Sequence, residues 1–274
     1  MPRKIIHVVG TGTIGGTIVS PVKILDNVSM VSSGYIHTCA LLKSGKINCW
    51  GNNGNWALGS NISTTATPSE VTDISNGIYI SSGYSNSCAV LDNGTTQCWG
   101  VNGFSQLAEG ESYTGSRTPK NISNFDNSTS VAVGTFHICN IDSGNVFCWG
   151  RGVYGELGHG STLDEQVSPV QSQISNVVSL SAGDYFNCAV LNNGKINCWG
   201  SSSLGKLGDG TGSDSNLPVE VTGISNAKKV SSAAHSCALL ADGRIKCWGR
   251  GDSGQLGNGA NSTSTTPVYV SGFE

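Results

Sequence analysis

Apolar and polar positions alternate over short stretches along the whole chain, and no 3.6-residue apolar spacing persists past a few residues. The pattern predicts strands and no helices. Stretches such as Val28 to Ser33 and Val177 to Ser181 are β-branched and Ser-rich, and each runs into a small residue: Gly34, Gly83, Gly134, Gly183 or Ala233. A hairpin follows that ends in Cys-Trp-Gly, at Cys49-Trp50-Gly51, Cys98-Trp99-Gly100, Cys148-Trp149-Gly150, Cys198-Trp199-Gly200 and Cys247-Trp248-Gly249. These copies are 49, 50, 50 and 49 residues apart. After each comes a polar Gly-rich loop, a Leu-Gly (Leu107-Ala108 in one copy), and a Pro-containing stretch at Pro68, Pro119, Pro169, Pro218 and Pro267, with Pro21 preceding the first hairpin. Lacking an N–H, each Pro is expected to start a strand or to sit at a sheet edge.

This gives four strands per repeat of about 50 residues, the content of one propeller blade. The expectation is an all-β, single-domain β-propeller over residues 1–274. Its hairpins lie near 28–51, 77–100, 128–150, 177–200 and 226–249, with partial units at 1–27 and 250–274. Five complete repeats and two partial ones make six blades if the termini close a composite last blade. The termini are equally consistent with a piece of a longer array.

Register counting pairs the cysteines. With Lys43-Ser44-Gly45 as a three-residue loop, Leu41 faces Ile47 and Cys39 faces Cys49. The same count sets Cys88 opposite Cys98, Cys188 opposite Cys198 and Cys237 opposite Cys247. In the third copy the loop is one residue shorter, Ser143-Gly144, and Cys139 still faces Cys148. Opposed residues lie near disulfide reach, so five disulfides within blades are expected. Ten free core cysteines are the alternative; zinc would want a Cys-x-x-Cys, which is absent. Disulfides imply an oxidising compartment, hence an extracellular or cell-surface location. The Trp beside each second Cys points to the opposite face by strand alternation and is expected to pack between blades.

Ser33-Gly34-Tyr35-Ile36-His37-Thr38-Cys39-Ala40-Leu41 and Gly45-Lys46-Ile47-Asn48-Cys49-Trp50-Gly51 resemble the repeat of the regulator of chromosome condensation family, as do Leu157-Gly158-His159-Gly160 and Leu207-Gly208-Asp209-Gly210. The resemblance implies a propeller of four-stranded blades that acts by binding. The paired-cysteine form looks like exported bacterial members. Family functions include nucleotide exchange on a small GTPase, β-lactamase inhibition and ultraviolet sensing. Gly34-Tyr35-Ile36-His37-Thr38 lacks the Trp and Arg of the photoreceptor motif. The basic segments of the nuclear exchange factor are absent too.

Composition narrows the function classes. Charged residues are 12%, and 15 Lys and Arg against 18 Asp and Glu leave a net charge of −3, which disfavours nucleic acid. No apolar run is long enough to span a membrane. Arg3-Lys4 before Ile5 to Val9 faintly resembles a signal peptide, but the Gly and Thr density from Gly10 onward favours a strand. Gly10, Gly12 and Gly15 match a dinucleotide-binding spacing, yet β-branched residues and Pro21 follow where a helix is needed. The spacing recurs at Gly150, Gly152, Gly155 and at Gly249, Gly251, Gly254 as a by-product of the repeat. His37, His137 and His235 recur two residues before a Cys; the structural expectation is a hydrogen bond to a neighbouring blade's backbone, the functional one a metal or pH-sensitive patch. Asp209 to Asp214 has calcium-like oxygen spacing without a closing Glu and matches common turn chemistry. N-x-Ser/Thr sequons such as those at Asn61 and Asn261 need only chance in so Asn-rich a chain.

No catalytic, metal or cofactor site is assigned. The expectation is a non-enzymatic scaffold that recognises a protein or surface glycan through its blade-connecting loops. A structural segment of a larger adhesin or filament, self-associating or within a larger parent protein, is the alternative. Specificity would lie in the variable segments Gly51 to Ala66, Val101 to Arg117 and Arg151 to Gln166, with Trp56, Phe104, Tyr113 and Tyr154 as binding anchors.

Overall fold

The structure, a computed structural model, describes residues 24–108, 110, 114–162 and 164–273. They form five four-stranded antiparallel sheets, each a propeller blade, and one 3-10 turn, Ser203–Gly205. The first sheet is β1 (Val28–Ser33), β2 (His37–Leu42), β3 (Ile47–Gly51) and β4 (Thr65–Glu70). The second is β5 (Gly77–Ser82), β6 (Asn86–Leu91), β7 (Thr96–Gly100) and β8 (Ser116–Ile122). The third is β9 (Ser128–Val133), β10 (His137–Asp142), β11 (Asn145–Arg151) and β12 (Glu165–Gln171). The fourth is β13 (Val177–Ala182), β14 (Phe186–Leu191), β15 (Ile196–Gly200) and β16 (Ser215–Glu220), and the fifth β17 (Ala227–Ser232), β18 (His235–Leu240), β19 (Ile245–Gly249) and β20 (Ser264–Tyr269). Strands pair in chain order within every sheet, so the C-terminal segment 250–274 supplies β20 and completes the fifth sheet. The N-terminal partial unit, Pro21 and the Gly10-Gly12-Gly15 motif lie outside the described residues. The chain divides into two compact units, one within Met1–Gly103 and Glu111–Val131, the other within Phe104–Gly110 and Ala132–Glu274.

The hairpin register follows the loop count. Leu41 faces Ile47 and Cys39 faces Cys49 across β2 and β3, and the shortened third hairpin sets Asp142 against Asn145 and Cys139 against Cys148. All five Cys pairs are disulfide-bonded, with Cα atoms 4.0–4.1 Å apart, and no cysteine is free. The prolines sit inside the edge strand rather than at its start. In the first sheet the ladder jumps from Cys49–Ser69 to Gly51–Thr65, and Pro68 lies in the break, where no N–H is required.

The two faces of each hairpin pack differently. The Cys39–Cys49 face of the first sheet joins Leu41, Ile47 and Leu58 in one core with Trp99 of the second sheet. The Cys139–Cys148 face packs with Leu157 and Trp199, and the Cys188–Cys198 face with Leu207 and Trp248. Each of these three cores is therefore a disulfide face of one sheet closed by the Trp face of the next. Trp99, Trp149, Trp199 and Trp248 are fully buried. Their indole N–H groups donate to the carbonyls of Ala57, Gln106, Glu156 and Lys206 at 2.8–2.9 Å, so the polar edge of each ring is satisfied by the preceding repeat's loop.

Gly158 and Gly208 show why Leu-Gly recurs. Both have φ of +68°, and a Cβ on either would come within 2.7 Å of the next sheet's Trp ring. The sequence therefore leaves the glycine's side empty so that the Trp can close the core.

Candidate interaction site

Antiparallel pairing places the first hairpin turn of each sheet and its long third loop at one end of that sheet. In the second unit this end gathers Phe104, Phe136, Arg151, Tyr154 and Tyr185. Phe136 and Tyr185 are turn residues between β9 and β10 and between β13 and β14. Arg151 ends β11, where its N–H donates to the Phe136 carbonyl at 3.0 Å and holds the turn against the strand. Phe104 and Tyr154 occupy equivalent places in successive long loops. Their backbone N–H groups donate to the side chains of Gln106, at 2.8 Å, and Glu156, at 2.6 Å, which fixes the loop shape.

The rings surround the guanidinium. The Arg151 Cζ lies 5.1 Å from the centroids of Tyr154 and Tyr185 and 5.9 Å from those of Phe104 and Phe136. Phe104 and Phe136 are 5.0 Å apart and tilted by 55°, Phe136 and Tyr185 5.9 Å apart and tilted by 37°. Tyr154 meets Tyr185 edge-on at 5.5 Å. Each cation–π contact is worth about 0.5–1 kcal/mol where solvent reaches it, so together they hold Arg151 in place. Tyr154 is 39% exposed.

Of the four anchors read from sequence, Phe104 and Tyr154 come together here. Trp56 lies in the first unit and is half-buried, with the Arg117 guanidinium 5.3 Å over its ring. Its φ of +63° matches the left-handed φ of Ser105, Gly155, Gly205 and Gly254 at the equivalent repeat position, so the repeat's turn sets its direction. Tyr113 lies outside the described residues. The sequence reading did not single out Phe136, Arg151 and Tyr185; the signal available was that the residue before His137 and Phe186 varies between repeats. The first unit carries a smaller aromatic feature, Tyr35 stacked on Tyr84 at 4.6 Å, with Tyr35 73% exposed.

Two of the three recurring histidines, His37 and His137, are buried, and their partners are side chains rather than the expected backbone; His235 is only partly buried. His37 Nε2 meets Ser87 Oγ at 2.7 Å, and His137 Nε2 meets Asn187 Oδ1 at 3.0 Å. Ser87 donates to the Ala57 carbonyl and Asn187 to the Glu156 carbonyl, the same oxygens that accept Trp99 and Trp199. Burial pushes both imidazoles down to about 4. Burial also raises the carboxyl pKa of Glu156, against the pull of backbone N–H groups and the Arg151 charge. The Asp209 loop is closed by turn bonds: its carboxylate accepts the Thr211 N–H and hydroxyl, while Asp214 accepts the Ser202 N–H. No cluster of three or more His, Cys, Asp or Glu forms a metal site among the described residues. A surface cleft of about 480 Å³ beside Gln171–Asn176 is lined by no titratable side chain.

Two family models, both described as the regulator of chromosome condensation (RCC1) repeat, match the chain. One covers residues 143–190 and 193–240, the other residues 28–55, 177–206 and 230–255. No curated protein sequence matches. Among solved structures, human WBSCR16 is similar with a TM-score of 0.80 at 23% identity, over 92% of this chain and 69% of that one. Prp20p of Saccharomyces cerevisiae, studied for its binding to Gsp1p and histones, gives 0.60 at 19% identity over 88% and 76%. The ectodomain of the Physcomitrella patens receptor kinase CR4 gives 0.51 at 18% identity over 80% and 52%. At these identities the likeness shows the fold alone.

Proposed function

The chain belongs to the regulator of chromosome condensation repeat family, and from that premise we propose that it is a non-enzymatic binding scaffold, exported or surface-displayed, that recognises a protein or a surface glycan. The observation that carries this reading is the Arg151 cluster, four aromatic rings around one cation at the loop end of a disulfide-bonded framework. Tyr, Trp and Arg dominate the energetics of protein interfaces. The framework repeats, whereas the cluster is assembled from positions that differ between copies: Phe104 and Tyr154 stand where other repeats carry Asn55, Leu204 and Ser253. An oxidising location is supported by ten cysteines all held in disulfides. Partners of Prp20p are not carried over at 19% identity.

The test is binding of the labelled chain to arrays of extracellular protein domains and of glycans, beside a Phe104→Ser/Tyr154→Ser variant. Ser253 holds the equivalent position in the fifth repeat, so the variant is expected to fold. Selective binding that falls about tenfold or more in the variant is expected, since a hot-spot side chain carries about 1.4 kcal/mol or more. Absence of binding, or equal binding by the variant, refutes the proposal.

A further inference from the structure

Resting on the scaffold reading, we propose that the Arg151 cluster docks a carboxylate carried by an acidic segment of a partner protein. Arg151 presents five N–H donors in a planar fork that matches a carboxylate. Among the described residues its guanidinium makes cation–π contacts and neither a hydrogen bond nor an ion pair. Among the described residues the carboxylates nearby have other hydrogen-bond partners. Glu156 is buried and accepts the Tyr154 N–H, Glu165 accepts the Ser105 hydroxyl, and Asp184 accepts the Thr135 hydroxyl. Arg151 itself is only partly buried, so its donors remain within reach of a partner.

The rings make this cation a better anchor than an open surface arginine. They hold the guanidinium in one place, so little side-chain entropy remains to be lost on binding. A carboxylate flanked by apolar side chains would meet the fork at the centre and ring edges around it, the arrangement of an interfacial hot spot.

The same geometry favours a protein over an acidic glycan. A sugar ring stacks on an open, flat aromatic face. Here the rings are inclined to one another at 37–64° and are turned around the guanidinium.

The experiment titrates the isotopically labelled full chain with the peptide acetyl-Leu-Glu-Tyr-Glu-Leu-amide, with its Gln counterpart, and with an oligogalacturonate. The Glu peptide is expected to shift the amide signals of Phe136, Arg151, Tyr154 and Tyr185, and to bind more weakly as salt is raised. Its affinity should fall about tenfold or more for the Gln peptide and for Arg151→Met, the loss expected of a close charge pair. Three results overturn the inference: no binding of the Glu peptide, equal binding of the Gln peptide, or equal binding by Arg151→Met. Tighter binding of oligogalacturonate at these residues overturns the choice of a protein partner. If the peptide binds independently of Arg151 but is lost in Phe104→Ser/Tyr154→Ser, this inference fails and the scaffold reading stands. If no probe here and no array member binds the native chain, both fail.

Discussion

Acid should weaken this protein through two buried imidazoles well before its carboxylates are fully protonated. The hydrogen bonds define the tautomer of His137. His37 Nε2 meets Ser87 Oγ at 2.7 Å, and Ser87 Oγ also lies 3.2 Å from the Ala57 carbonyl. Asn187 donates through Nδ2 to the Glu156 carbonyl at 2.7 Å and accepts through Oδ1 from His137 Nε2–H. In both rings Nδ1 is buried and has no partner. Protonating it places a charge and an unmatched donor in the core. Both pKa values fall from 6.5 to about 4. The folded state thus binds fewer protons than the unfolded state between these values. The stability contributed is complete above pH 6.5 and is lost as pH falls through 4. At 1.36 kcal/mol per pKa unit the full loss is about 3 kcal/mol per histidine, of which about 2 kcal/mol has gone by pH 5. The assay is urea unfolding from neutral pH to pH 4, comparing the native chain with His137→Phe/Asn187→Ser. That pair recreates the fourth repeat, where Phe186 is buried and Ser236 takes the Asn187 position. The variant should lose about 2 kcal/mol less than the native chain between neutral pH and pH 5. Equal losses in the two proteins, or a His137 that titrates near 6.5 by NMR, would refute the reasoning.

Three further outcomes are expected. Replacing Cys188 and Cys198 together by Ala should cost about 2–3 kcal/mol, the loop entropy of a ten-residue separation, read as a lower urea midpoint; an unchanged midpoint would contradict it. Gly158→Ala should cost about 1–2 kcal/mol and shift Trp199 fluorescence, because its Cβ would lie 2.7 Å from Trp199 Nε1 at φ +68°. Ala108 holds the same repeat position at φ +52°, so an alanine is accepted there and the cost stays moderate. Glu156→Gln should stabilise the protein at pH 7 and not at pH 4. Burial raises the Glu156 pKa, so the folded state binds the extra proton and stability falls as pH rises; melting temperatures at the two pH values decide it.

The hairpins were legible because their information is local. A loop of known length fixes which residues face each other, and Cys39, Ile47 and Trp50 then take their faces by alternation. The fourth strand was legible only in outline. Pro68 marks an edge, but the jump in the ladder between Cys49 and Gly51 that accommodates it is set by the pairing of the whole strand. The histidines were placed as structural, yet their partners Ser87 and Asn187 lie 50 residues further on, a separation that no local rule spans. Phe104 and Tyr154 could be nominated because they stand in variable loops. Nothing in their spacing brings them to Arg151.

From its residues alone the chain determines that it builds four-stranded sheets at a period of about 50, which cysteines pair, and that the Trp lies on the face of each hairpin opposite its disulfide. Those properties follow from strand alternation, turn length and the repetition itself, each acting over a few residues. Tertiary structure alone decided which exposed side chains meet. Phe104, Phe136, Arg151, Tyr154 and Tyr185 come from three successive repeats and converge because the third sheet seals its core against Trp199 of the fourth and the loop carbonyls of Gln106 and Glu156 accept the indoles of Trp149 and Trp199, which brings these turns and loops to one end. A contact set by the packing of sheets leaves no periodic trace in the sequence, and for that reason the candidate site appears only in the folded chain.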